Sequence, residues 1–164
     1  MGRYVEQDLD WADQAPIVVE AAATLAGTAQ EVWDAIVDYP RWAAWFPQIA
    51  ACRATSEPPT GLGSTRDVRL KGGGGTIAER FIGWEEPHVW AFTATSGPPV
   101  FTSIVERVTI EALADGRASV TYRMALAPRR ALRPVLRLAR GRLASVLATA
   151  LANLDDEVAR RRDR

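Results

Sequence analysis

Apolar residues recur with two different periods along the 164-residue chain. Residues 17–26 (IVVEAAATLA) are small and β-branched and predict a strand closed by Gly27. A helical signal follows. Thr28 and Glu31 form a T-x-x-E capping box, and Val32, Trp33, Ile36 and Val37 share one apolar face. Pro40 ends that helix, because the residue before a proline is pushed out of helical geometry. A shorter turn over 41–46 (RWAAWF) stops the same way at Pro47.

From Gln48 to Pro128 the period shortens to two, predicting strands over 49–56, 65–71, 76–84, 89–95, 102–113 and 117–126. Their separators (PPTGLG, GGGG, EEPH, SGPP and ADG) each supply Gly or Pro where the chain must reverse. Short connections between consecutive strands favour an antiparallel meander. Helical periodicity then returns over 134–162, where Leu136, Leu143, Leu147, Leu151, Leu154 and Val158 form an apolar stripe. Read as one helix, this segment is about 43 Å long. The expected architecture is α+β: a curved antiparallel sheet of six to seven strands wrapped around a long C-terminal helix, with a cavity between them. Residues 1–15, with Glu6, Asp8, Asp10 and Asp13, read as an acidic, partly ordered extension preceding a single domain over 16–164.

Strand alternation also assigns faces to the polar residues. Arg66 shares a face with Val68 and Leu70, Glu79 with Ile77 and Phe81, Glu106 with Ile104 and Val108, and Tyr122 with Val120 and Met124. Trp90 and Phe92 face the same way as Ala94. Arg66, Glu79 and Glu106 thus fall on apolar, inward-facing sets, where a charge is costly unless paired. Either Arg66 and a glutamate form an ion pair that fixes the sheet, or these groups orient a polar end of an apolar ligand. Candidate ligand-binding residues are Arg66, Glu79, Trp90, Phe92, Glu106, Tyr122, Leu143 and Leu147. If the site is catalytic, Glu79, Tyr122 and Arg66 are the candidates for base, proton donor and enolate stabiliser.

Composition narrows the chemistry. A lone cysteine, Cys52, excludes an internal disulfide, and a lone histidine, His88, excludes zinc sites built from several His or Cys ligands. No metal or other cofactor is expected. KGGGGT lacks the G-K-[ST] ending of a phosphate-binding loop and opens a strand. No apolar run approaches the roughly 18–20 residues of a membrane span, and the N-terminus lacks a signal-peptide layout, so the expectation is a cytoplasmic protein. The six tryptophans either fill a core or line an apolar cavity; for Trp42, Trp45 and Phe46, core packing is the first expectation.

The neutral total of 20 basic and 20 acidic residues hides an asymmetry. Residues 1–127 are net −6 and residues 128–164 net +6. Arg129, Arg130, Arg133, Arg137, Arg140 and Arg142 cluster at the start of the terminal helix, where the helix dipole disfavours cations. The acidic extension, an anionic membrane surface or RNA are the partners considered for them, with Arg133, Arg137 and Arg140 as the contact residues. No DNA partner is expected, and the sequence sets no oligomeric state.

The segments TLAGTAQEVWDAIVDYPRWAAWFPQI, GLGSTRDVRL, AERFIGWEEPHVWAFTAT and RASVTYRMALAP, with the terminal helix, resemble the START-like or SRPBCC superfamily. The likeness is to its polyketide cyclase/dehydrase and lipid-transport group and extends over about residues 16–160. The family's usual proline is replaced by Ala29. The resemblance implies a helix-grip fold that binds a small hydrophobic molecule such as a polyketide, lipid or isoprenoid. It also admits an aromatase/cyclase or dehydrase, and a ribosome- or membrane-associated module acting through the arginine-rich helix. KGGGG and SGPP occupy loops that resemble the gate and latch around the ligand mouth in plant abscisic-acid receptors.

Overall fold

The seven expected strands all form in the computed structural model, which describes residues 1–163. They are β2 (Ile17–Leu25), β3 (Ile49–Ala54), β4 (Thr65–Leu70), β5 (Thr76–Glu85), β6 (Val89–Gly97), β7 (Phe101–Ala112) and β8 (Ala118–Pro128). They pair antiparallel in the order β2-β8-β7-β6-β5-β4-β3. The meander runs in sequence order from β3 to β8, and β2 closes the far edge against β8. The sheet curls into a half-barrel whose concave face carries the apolar members of each alternating set.

Helix α1 (Ala29–Val37) starts at the predicted capping box, with both reciprocal Thr28–Glu31 hydrogen bonds present. A short helix, α2 (Trp42–Trp45), follows a 3-10 turn over Tyr39–Arg41. Trp33, Trp42, Trp45 and Trp90 are almost fully buried, so the tryptophans mainly fill the core at one end of the half-barrel.

Two features differ from the expectation. The terminal helix is broken, into α3 (Arg133–Leu138) and α4 (Arg140–Arg162). Ala139 caps α3, its N–H bonded back to Val135, and its ψ of −2° departs from helical geometry. Six neighbouring arginines that repel one another and the weak helix former Gly141 explain why this stretch does not propagate as one straight helix. Beyond the break, Leu147, Leu151, Leu154 and Val158 are buried against the sheet and α1 as the stripe predicts.

The second difference is the order in the acidic N-terminal segment. Gly2–Arg3 form a two-residue strand, β1, paired with Gly97 and Ser96 of β6. The next residues bridge the splayed ends of two strands: the Tyr4 N–H donates to Thr95 O on β6, and the Val5 N–H to Thr102 O on β7. Tyr4 is buried, and its hydroxyl donates to Pro98 O at 2.6 Å. Gly97 makes room for that ring, since a Cβ there would lie 2.6 Å from the Tyr4 hydroxyl. On the outer face of the sheet, Ala12 packs against Val105 and Ala125. There Asp13 pairs with Arg107 and Arg123, and Glu6 with Arg80. These two carboxylates of the extension therefore neutralise sheet arginines and not the cluster at 129–142, which corrects one of the partners considered for it.

Candidate functional site

A cavity of about 340 Å³ lies between the concave face and the α3–α4 junction. Its walls are built by alternation: Arg66, Val68 and Leu70 from β4, Ile77 and Glu79 from β5, Phe92 from β6, Ile104 and Glu106 from β7, and Tyr122, Met124 and Leu126 from β8. The helical side adds Ala139, Arg142, Leu143 and Val146, spaced i, i+3, i+4 and i+7 so that they share one face. Trp42, Phe46, Gln48, Ile49 and Phe101 complete it.

Arg66 stands at the aromatic end of this space and is only 1% exposed. Its Nε donates to Glu79 Oε2 at 2.6 Å. The register explains this contact, because Arg66 and Glu79 are directly opposite on β4 and β5. Its guanidinium carbon lies 4.0 Å from the ring centroid of Trp42, 4.6 Å from that of Trp90 and 5.0 Å from that of Tyr39. A flat, weakly hydrated cation suits such a box. Among the described residues, neither Nη1 nor Nη2 of Arg66 has a hydrogen-bond partner. Two buried N–H-bearing nitrogens are thus left with unmet hydrogen-bonding capacity beside an apolar cavity.

Burial raises the Glu79 carboxyl to about 6, against the opposing pull of Arg66, so the pair is charged at neutral pH. The second polar pair is different. The Tyr122 hydroxyl donates to Glu106, and burial, helped by the charge on Glu79, raises the Glu106 carboxyl to about 8. Glu106 is therefore mainly protonated at neutral pH. Burial also raises the Tyr122 hydroxyl well above its ordinary value, with Glu106 adding to the effect. Cys52 is buried on β3, where burial pushes its thiol up to about 11. His88 sits in the β5–β6 turn with Nδ1 3.2 Å from Ile110 O.

Arg66, Glu79, Phe92, Glu106, Tyr122 and Leu143 all line the cavity. Trp90 and Leu147 do not: both are 0% exposed, Trp90 beside the Arg66 guanidinium and Leu147 in the packed core. Tyr122 partners Glu106 and not Glu79, which is committed to Arg66. Trp42 and Phe46, read first as core, both pack in the core and face the cavity. Arg142 and Val146 are the lining residues that sequence spacing misses; their i+3 and i+7 positions from Ala139 become informative only once the break there fixes the helix phase.

Leu70, Ile77, Phe101, Ala139 and Arg142 line the cavity where the β4–β5 and β6–β7 loops approach the α3–α4 junction. The β4–β5 loop turns through Gly72, Gly73 and Gly75, at φ of +63°, +74° and +87°, a region that side chains other than glycine rarely adopt. The two loops meet, since a Cβ on Gly75 would lie 3.5 Å from Pro98 Cγ.

A half-barrel gripping a C-terminal helix over an apolar cavity defines the helix-grip class of the START/SRPBCC superfamily. Within it, the chain belongs to the polyketide cyclase/dehydrase and lipid transport family, whose model matches residues 16–159. It is similar to an uncharacterized protein of Mycobacterium tuberculosis, 29% identical over 148 residues, covering 89% of this chain and 87% of that protein. A Mycobacterium bovis protein, also uncharacterized, matches equally. Among solved structures, the Zhui aromatase/cyclase from Streptomyces sp. R1128 superimposes with a TM-score of 0.72 at 19% identity, over 88% of this chain and 94% of that one. A START superfamily protein from Mycobacterium smegmatis gives 0.73 at 18% identity, over 87% and 97%. At these identities the structural likeness concerns the fold alone. No described helix is long and apolar enough to cross a membrane.

Proposed function

We propose that this protein binds one small, mainly apolar molecule such as a polyketide, lipid or isoprenoid in the cavity, with a carbonyl, hydroxyl or carboxylate end directed at Arg66. The observation that carries this reading is the combination of apolar walls with the unpartnered guanidinium nitrogens of Arg66 at one end. A cavity of about 340 Å³ is also within the range of small-molecule sites. Family membership supports the same class of ligand. The test is a thermal-unfolding and native mass spectrometry panel of fatty acids, isoprenoids and aromatic polyketides. A ligand at a hundred times its Kd adds about 2.7 kcal/mol of stability. Ile104→Trp, which fills the cavity, is expected to abolish that shift; a panel that moves neither protein would overturn the reading.

A second reading, an aromatase/cyclase or dehydrase acting on a polyketide, is favoured by the Glu106–Tyr122 pair. A carboxyl poised at about 8 is suited to hold and return a proton near neutral pH, and Arg66 is placed to face a developing enolate. Because Glu79 is engaged by Arg66, Glu106 takes the acid/base role in this scheme. Turnover of a reactive poly-β-ketone that disappears in Glu106→Gln and Tyr122→Phe would establish it. Unchanged turnover in both variants would exclude it.

A further inference from the structure

The six arginines between 129 and 142 are not accounted for by the cavity, apart from Arg142. Arginines elsewhere in the chain are extensively paired: Arg160, Arg161 and Arg162 at the other end of α4 meet Glu157, Asp38 and Glu31. Among the described residues, none of the six forms an ion pair, although Arg140 donates to Val18 O at 2.9 Å. They also surround two of the exposed large hydrophobic side chains, which lie three residues apart on one short helix. On α3, Leu136 packs against the core, while Pro134, Val135 and Leu138 point outward. Val135 is 62% exposed and Leu138 89%.

We propose that α3 and its flanking arginines are a docking surface for an anionic lipid bilayer, with Leu138 and Val135 entering the headgroup region. An amphipathic helix with arginines beside an outward apolar stripe fits that partner in both charge and polarity. RNA would use the arginines but has no use for an outward Leu and Val, and residues 129–146 contain no aromatic side chain on which a base could stack. The position gives the surface a purpose. Ala139, Arg142 and Leu143, immediately after α3, line the cavity, so docking brings the cavity rim to the bilayer. That consequence rests on the ligand-binding reading; the docking itself does not.

The experiment is sedimentation of the full chain with vesicles of phosphatidylcholine alone or with one third phosphatidylglycerol, at about 0.1 M salt. Pelleting is expected only with the anionic vesicles. Arg130→Gln and Arg137→Gln should each weaken it about fivefold. Val135→Ser with Leu138→Ser should weaken it at least about tenfold, with an unchanged melting temperature, because both side chains are exposed. Equal pelleting on neutral and anionic vesicles overturns the proposal. So does undiminished pelleting by the double serine variant, or binding to RNA that survives it in place of vesicle binding. A cavity ligand that stabilises a chain unable to pellet would sink the docking surface and spare the ligand reading. Pelleting by a chain that no ligand stabilises would do the reverse.

Discussion

The concave face carries two carboxyl groups, Glu79 on β5 and Glu106 on β7 with β6 between them, and their surroundings give them opposite states. Glu79 lies opposite Arg66 in the β4–β5 register, and that partner keeps it ionised at neutral pH despite burial. Glu106 has a phenol for a partner and the Glu79 charge as a neighbour, so burial prevails and the proton stays on. The residue type and the sheet face are the same. The difference is one guanidinium, which only one of the two carboxylates can reach. Polar groups in an apolar site are thus kept there either by charge pairing or by neutralisation.

The largest effect should come from breaking the charged pair. Glu79→Gln leaves the Arg66 guanidinium in its aromatic box without a counter-ion, and is expected to destabilise the fold by about 3–5 kcal/mol. Replacing both partners, as in Arg66→Met with Glu79→Leu, removes the stranded charge and should recover most of that loss. Denaturant unfolding of the two variants measures the difference. If Glu79→Gln lost less than about 1 kcal/mol, the pair would not hold its charge in the folded state.

The neutral pair is separated from the charged one by pH. The Glu106 carboxyl is raised from its ordinary 4.5 to about 8, so the unfolded chain gives up this proton before the folded one does. Its contribution to stability is therefore complete below about 4.5 and is lost as pH rises through about 8, with a slope of at most about 1.4 kcal/mol per pH unit. Glu79 adds a contribution of the same sign between 4.5 and about 6. Glu106→Gln is neutral at every pH and should flatten the slope above pH 6, gaining on the parent protein as the solution becomes alkaline. Parallel stability curves for the two proteins would show that Glu106 is not held in its protonated form.

How much of this was legible in the sequence follows from the period of each element. Alternation with a period of two put Arg66, Glu79, Glu106 and Tyr122 on the apolar faces of their strands, and all four line the cavity. Neither register shift in the β5–β6 ladder turned Glu79 outward. Which charges would meet was not legible, because that depends on strand register: Arg66 lies opposite Glu79, whereas Glu106 lies opposite Met124 and reaches Tyr122 diagonally. Leu143 and Leu147 are one helical turn apart on one apolar stripe, yet only Leu143 faces the cavity. The cavity's extent depends on how far Trp42, Phe46 and their neighbours fill the half-barrel, a matter of packed volume with no signature in spacing. The break at Ala139 was hidden for a similar reason: Gly141 and the arginines weaken the helix but do not mark one residue as its end.

The smallest expected effect concerns the hydroxyl that distinguishes the second pair. Tyr122→Phe keeps the ring, whose centroid is 5.9 Å from that of Phe46, and removes only the hydrogen bond to Glu106. Because the Glu106 carboxyl is already protonated near neutral pH, no buried charge is stranded, and the cost should be about 1 kcal/mol against the larger loss in Glu79→Gln. The bond from Tyr122 favours the ionised carboxyl and opposes burial, so its removal should move the Glu106 midpoint further above about 8. A pH titration of stability in Tyr122→Phe reads that shift directly. A midpoint that moved down instead would mean that the hydroxyl supports the neutral acid, and that the proton between Tyr122 and Glu106 lies nearer the carboxyl donating to the phenol than the reverse.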